Sequence, residues 1–207
     1  MVTVLDNPII AHKLAQLRDK RTPSRIFRAL VEEIAMLMVY EVGREFESYE
    51  VEIETPLTSC RVKILYEENF VVVPILRAGL GMSSGVLKIL PNASVGHIGL
   101  YRDEKTFQPV EYYSKIPPNL GEKILLVTDP MLATGGSAVA ALQMLKDKGA
   151  RKIFFMCIVA APQGIEKVFA AHPDVPIYTA SIDDGLNENC YILPGLGDAG
   201  DRIFSTL

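Results

Sequence analysis

The residues best placed to do chemistry are Asp129 to Ser137, "DPMLATGGS", which follow the apolar run "ILLVT" without a break. An acid stands where a buried strand ends, and Thr-Gly-Gly-Ser then opens a helical pattern. The first turn of a helix carries unpaired N–H groups and the positive end of the helix dipole. Gly135 and Gly136 let that backbone approach a ligand closely, and Thr134 and Ser137 add hydroxyl donors. Together they form a cradle for one phosphate group. The lysine of GxxxxGK[ST] is missing, so the stretch is not a nucleoside-triphosphate P-loop. Asp129, beside the phosphate, would accept hydrogen bonds from sugar hydroxyls, which makes a ribose phosphate the natural guest. A plain strand-to-helix turn can use the same letters; the acid at the end of a strand favours the functional reading.

Two further glycine patterns stand in the chain. "GLGDAG" (195–200) matches GxGxxG, but no strand precedes it closely and only seven residues follow it, too few for a helix and another strand. It is therefore rejected as a dinucleotide fingerprint. "GLGMSSG" (79–85) does follow a strand and opens a helix, but its spacing is GxGxxxG, a weak signal for a dinucleotide-dependent oxidoreductase.

These residues need a scaffold. Residues 8–20 place Ile10, Leu14 and Leu17 on one helical face. Thr22-Pro23 reads as a helix cap followed by proline in the first turn, opening a helix to about Phe46 with Phe27, Leu30, Val31, Ile34, Leu37 and Met38 as its stripe. "VEIETP" and "CRVKILYE" alternate as half-exposed strands do. The runs 70–76, 94–101, 123–128, 152–161 and 176–182 are short and continuously apolar, with helical patterns at 80–90, 136–148 and 163–171. That alternation predicts an α/β fold: a mostly parallel, twisted sheet flanked by helices. Ligands of such sheets bind at the carboxyl ends of the strands, where Asp129 lies. Residues 183–207 are too polar and glycine-rich for another such unit.

Composition narrows the class. The 207 residues suit one domain with a sizeable core. With 21 Lys and Arg against 25 Asp and Glu, the net charge of −4 argues against a general nucleic-acid or anionic-membrane binder. Three widely spaced cysteines without a CxxC pair suggest neither zinc nor a disulfide framework and fit a reduced compartment. His12, His97 and His172 lack metal-ligand spacing. No signal pattern opens the chain and no apolar run approaches membrane-spanning length, so the expected location is cytoplasmic.

Four segments, "VVVPILRAGLGM", "GHIGLYRDEKTFQPVEYY", "DPMLATGGSA" and "YILPGLGDAGDRIF", resemble the signature segments of the uracil phosphoribosyltransferases, and the similarity extends over essentially the whole chain. The C-terminal segment is the most specific of the four. The resemblance implies transfer of a 5-phosphoribosyl group from phosphoribosyl diphosphate to uracil, giving UMP and diphosphate, with Mg²⁺. It implies a single domain over 1–207, a core over about 1–182, a small C-terminal hood over about 183–207, and a β-arm lid at 101–113. By position, Asp129, Pro130, Met131, Leu132, Ala133, Thr134, Gly135, Gly136 and Ser137 would hold the ribose and its 5-phosphate. Arg77, in the "RAG" turn, and Arg102 would serve the diphosphate. Ile192, Gly197, Asp198 and Ala199 would hold uracil. Asp198 would also lie near the ribose donor and its metal, reaching Mg²⁺ through water. The backbone after the "VVVPIL" strand is often strained in the family, sometimes as a cis peptide.

Two departures stand out. The wider phosphoribosyltransferase class often carries two adjacent acids where this chain has Thr128-Asp129, and Cys190 stands where the family would place glycine. Leaving diphosphate gathers negative charge that metal and guanidinium groups stabilise. Uracil offers acceptor, donor and acceptor along one edge, which main-chain groups of "PGLGDAG" can match, whereas cytosine would set a donor against a donor. The resemblance also implies a homo-oligomer, for which the long helix from residue 23 is the expected contact, and a GTP effector near "RDKRTPSR". Two alternatives are an RNA-binding regulator of pyrimidine genes on the same fold, disfavoured by the charge, and a phosphoribosyltransferase for another base.

Overall fold

The computed structural model describes residues 1–102 and 109–206, with the backbone alone at Arg102 and Pro109. Its elements run β1 Val2–Val4, α1 Pro8–Arg18, α2 Ser24–Val42, β2 Tyr49–Glu54, β3 Ser59–Ile64, β4 Phe70–Leu76 and α3 Leu80–Ile89. They continue with β5 Ser94–Val95, β6 His97–Arg102, β7 Pro109–Lys115, β8 Ile124–Thr128, β9 Met131–Leu132 and α4 Gly136–Asp147. The last are β10 Lys152–Ala160, α5 Pro162–Ala171, β11 Ile177–Ile182, β12 Gly185–Leu186, β13 Ile192–Leu193 and α6 Ala199–Phe204.

The central sheet has the order β1-β11-β10-β8-β4-β6-β7, with β5 beside β4 and β9 beside β10. Every pairing in it is parallel except β6 with β7. The continuous apolar runs are explained by burial on both faces. On β4, Phe70 and Val72 join one core while Val71, Val73 and Ile75 join the other. On β10, Phe154, Met156 and Ile158 face the first core, and Ile153, Phe155 and Cys157 face the second. The alternation is that of a pleated strand with no solvated side. The first core takes its cover from α1, α2 and α3, the second from α4 and α5.

Local chemistry sets the ends of these elements. Asn7 caps α1, its side chain accepting from the Ile9 N–H at 2.9 Å, and Ile10, Leu14 and Leu17 are buried as their spacing predicts. Thr22 does not cap α2. Its hydroxyl donates to the Gln16 carbonyl at 2.6 Å, and Pro23 occupies the cap position without a side-chain bond. The helix ends at Val42 rather than at Phe46, passing through a 3₁₀ turn at Gly43–Glu45. Its stripe is spent inside the chain's own core, with Leu37 only partly buried. Strands β2 and β3 form a separate antiparallel ribbon that lies largely in solvent. Four short strands escape the sequence pattern: β1, three residues long, β9, inside what reads as a turn, and β12 and β13 in the polar C-terminal segment.

The glycines of 79–85 serve packing. A Cβ at Gly79 would lie 2.3 Å from the Thr128 carbonyl oxygen, and one at Gly85 would lie 2.2 Å from that of Glu32. They let α3 approach β8 and α2, which accounts for the motif without a dinucleotide. After β11 the chain leaves the sheet: 183–206 supplies the β12–β13 ladder and α6. No helix among the described residues is long and apolar enough to cross a membrane.

Candidate active site

The cradle begins where β8 ends. Asp129 follows Thr128 directly, and β9 then pairs with β10, so Met131 and Leu132 are fixed by the sheet. Gly135, with φ +76°, turns the chain into α4. The first helical bond there is from the Val139 N–H to the Gly135 carbonyl, at 2.9 Å. The amides of Gly136, Ser137 and Ala138 precede it and, among the described residues, have no helical acceptor. All three residues line a small cavity of about 120 Å³, together with Asp129, Met131, Leu132, Ala133, Thr134 and Gly135. The size and the donors suit a phosphate group. Lys167 on α5 brings its ammonium within 3.8 Å of where a Gly136 Cβ would stand, adding positive charge beside the cradle. Gly164 lets α5 come this close: a Cβ there would lie 2.5 Å from the Ala133 carbonyl oxygen.

Asp129 accepts a hydrogen bond from the Met131 N–H at 3.2 Å. By surface area the residue is only half-buried, yet its carboxyl is packed closely enough that desolvation raises its pKa to about 7, against a small lowering from the Met131 bond. Thr128 is fully buried and donates to the Gly79 carbonyl at 3.2 Å. It points into the helix–strand contact, which leaves Asp129 as the acid at this strand end.

A larger cavity of about 410 Å³ opens beside the cradle and shares Met131, Ala133, Thr134 and Ser137 with it. Its opposite wall is the C-terminal segment, with Asn189, Cys190, Tyr191, Ile192 and Asp198. The structure thus brings Ile192 and Asp198 opposite the cradle. Gly197 instead lines a cavity on the other side of the same loop, and Ala199 is fully buried. Pro130 is buried, and its carbonyl accepts from the Ile158 and Val159 amides, both at 3.0 Å, so it braces the cradle from outside the cavity. Asn189, Tyr191 and Ala138 are wall residues that no spacing rule singles out.

Arg77 follows a cis Leu76–Arg77 peptide bond. Its guanidinium lies 3.2 Å from Asp201 and 6.0 Å from the Phe204 ring, so it reaches across to α6 rather than into either cavity. The Arg102 side chain and residues 103–108, the centre of the expected lid, lie outside the described residues; the flanking strands β6 and β7 do pair as an antiparallel arm. Cys190 has φ +63°, a left-handed conformation that favours glycine, the residue that the resemblance leads one to expect there.

Among the described residues, no cluster of three or more His, Cys, Asp or Glu could hold a metal by itself. Asp129 in the cradle and Asp198 in the adjoining cavity supply hard oxygen donors of the type Mg²⁺ takes beside substrate phosphates.

Comparisons with known proteins identify the family. The chain is 61% identical over 205 residues to a uracil phosphoribosyltransferase of Clostridium kluyveri, covering 99% of this chain and 98% of the relative. A uracil phosphoribosyltransferase of Clostridium tetani is 60% identical over the same shares. A solved protein of Aquifex aeolicus superposes with a TM-score of 0.95 at 37% identity, covering 100% of this chain and 99% of that one. A hypoxanthine-guanine phosphoribosyltransferase of Bacillus anthracis shares only the fold, with a TM-score of 0.53 at 13% identity over 77% of this chain and 80% of that one. The family model for uracil phosphoribosyltransferase matches residues 4–206, and the chain belongs to that family.

Proposed function

We infer that the protein transfers the 5-phosphoribosyl group of phosphoribosyl diphosphate to uracil, forming UMP and releasing diphosphate, a pyrimidine-salvage reaction. The observation that carries this reading is the shared wall: a phosphate-sized cradle opens into a larger cavity closed by the C-terminal segment. One end holds a phosphate, the other a small flat base, and the sugar spans them.

In this reading the amides of Gly136, Ser137 and Ala138 and the hydroxyls of Thr134 and Ser137 hold the 5-phosphate. Asp129, as carboxylate, accepts from the ribose hydroxyls. Main chain at Ile192 and Asp198 reads the edge of uracil, with Gly197 and Ala199 brought to it by a shift of the loop, and residues 183–207 act as the hood over a core of 1–182. The bond from the anomeric carbon to the diphosphate oxygen breaks as the bond to the uracil nitrogen forms on the opposite face. The proton of that nitrogen leaves to solvent or to phosphate. Arg77, swung from Asp201, and Arg102, on the β6–β7 arm, serve the departing diphosphate, whose charge a guanidinium fork matches. Closure of the arm would keep water from the oxocarbenium-like carbon. Mg²⁺ would ride on the diphosphate, with Asp129 and, through water, Asp198 as its protein partners, and would neutralise charge on the leaving group.

Three finer readings go with this one. Self-association is supported by exposed apolar side chains at Tyr40, Tyr49, Ile53, Leu57 and Tyr66, on α2 and around the β2–β3 ribbon. A GTP effector is supported by Arg18, Lys20 and Arg202 around a cavity of about 440 Å³ behind the hood loop. A cytoplasmic location is supported by free thiols at Cys60, Cys157 and Cys190.

The test is UMP formation from labelled uracil, phosphoribosyl diphosphate and Mg²⁺, with cytosine and hypoxanthine as competitors. Turnover of uracil alone is expected. Turnover of another base, or none in a folded sample, would overturn the reading.

A further inference from the structure

We propose that Arg18 and Asp183 are positioning residues for base recognition: they hold both main-chain groups of Gly195 and thereby set which backbone atoms of the hood loop face uracil.

Asp183 lies one residue past β11 and is buried. Its carboxylate accepts from Arg18 Nη2 at 2.6 Å, Arg18 Nη1 at 2.8 Å, Ser181 Oγ at 2.7 Å and the Gly195 N–H at 2.9 Å. Arg18, the last residue of α1, uses the same Nη1 to donate to the Gly195 carbonyl at 2.8 Å. The two side chains therefore occupy the N–H and the C=O of one glycine. Gly195 has φ +61°, and a Cβ there would lie 2.1 Å from the Ile192 carbonyl oxygen, so the loop is bent tightly at this point.

The next carbonyl is tied in the same direction. Arg202 Nη1 donates to the Leu196 carbonyl at 2.9 Å and Nη2 to the Asp19 carbonyl at 2.7 Å, while its guanidinium lies 4.2 Å from the centre of the Phe27 ring. Two successive carbonyls thus point away from the base cavity toward α1 and α2. What the hood loop keeps on the side of the base cavity is Ile192 before the clamped segment and Asp198 after it. A pocket made of main chain has no side-chain rotamer to fix its pattern of donors and acceptors. Its selectivity rests on what holds the backbone, and a charged, bidentate pair with a buried carboxylate holds a peptide group firmly.

The inference rests on the uracil reaction proposed above, and the experiment separates the two. The first variant is Arg18→Lys, which keeps a cation opposite Asp183 but cannot bond it and the Gly195 carbonyl as the fork does. The expected result is a rise of about tenfold in KM for uracil, with KM for phosphoribosyl diphosphate changed less than twofold, as expected when a charged hydrogen bond is lost. Uracil should also lose part of its advantage over cytosine. The second variant, Arg18→Ala, should show the same split and be restored by millimolar ethylguanidinium, since Arg18 lines the open cavity behind the loop. Hydrogen exchange at the amides of Gly195 and Gly197 should accelerate in both variants, a readout independent of turnover. Parallel rises in both KM values, an unchanged uracil KM, or unchanged exchange would overturn the proposal. If the unaltered protein does not turn uracil over, the reaction reading fails and the exchange arm alone decides whether the clamp holds the loop.

Discussion

Asp129 and Asp183 each stand one residue beyond a strand of the same sheet, and both carboxyls are shielded from water, yet their settings are opposite. Asp129 accepts one protein hydrogen bond, and desolvation raises its pKa to about 7. At Asp183 burial pushes the same way, but bonds from Arg18, Ser181 and Gly195 outweigh it and hold the carboxyl below its ordinary range. Burial alone therefore does not tell a structural acid from a functional one. The acid whose acceptor capacity is met within the chain braces the fold. The acid left short of donors, Asp129, is the one we propose to receive a ligand that brings hydroxyls.

Substitution of each acid breaks this comparison in a different way. Asp129→Asn should lower turnover by about 10²- to 10³-fold, the scale for losing one charged contact to the reacting group. The same change should raise stability. An acid with a folded pKa near 7 and an unfolded one near 3.8 destabilises the fold as pH rises between them, and the variant removes that slope. The gain at pH 8 is up to about 4 kcal/mol, read from urea unfolding at pH 5 and pH 8. A variant that is inactive and no more stable would show that Asp129 is not strained.

Asp183→Asn should do the reverse. It leaves Arg18 without its carboxylate and should cost about 3 kcal/mol at neutral pH. Because the folded pKa is depressed, the parent holds this contribution above about pH 4 and loses it as pH falls through the folded value. The stability difference between the two proteins should therefore shrink in acid. A constant difference from pH 7 to pH 3 would count against the ion pair.

The two glycines of the cradle sharpen the comparison at a smaller scale. Gly135→Ala places a Cβ 2.8 Å from the Gly164 carbonyl oxygen at φ +76° and should cost about 2 kcal/mol by thermal unfolding. A Cβ on Gly136 meets nothing nearer than 3.8 Å, so Gly136→Ala should leave stability within about 0.5 kcal/mol and instead weaken phosphoribosyl diphosphate binding. At Cys190 the change runs the other way: Cys190→Gly relieves a left-handed backbone and should gain about 1 kcal/mol by thermal unfolding.

The strands β4, β8, β10 and β11 are legible from their apolar runs because burial on both faces demands unbroken hydrophobicity. The cradle is legible for a related reason. A helix that opens through glycines after a strand and an acid binds with consecutive backbone, so its signature is contiguous. Strand β9, the failure of Thr22 to cap α2 and the departure of the α2 end from Phe46 are not written that way. Each depends on a partner distant in sequence or on a competing local bond.

The sequence by itself determined the layered α/β core, the glycine-opened turn after β8 that we propose as the phosphate cradle and, through resemblance, the family. Tertiary structure alone decided the rest of the site: that Ile192 and Asp198 face the cradle, that Pro130 and Ala199 are turned away from it, and that Arg77 reaches Asp201. It also decided that Asp183, unremarked among the polar residues after β11, is bound to an arginine 165 positions earlier in the chain. Periodicity records how a residue sits relative to its neighbours along the chain. Whether a buried charge is satisfied depends on groups that only folding brings within about 3 Å.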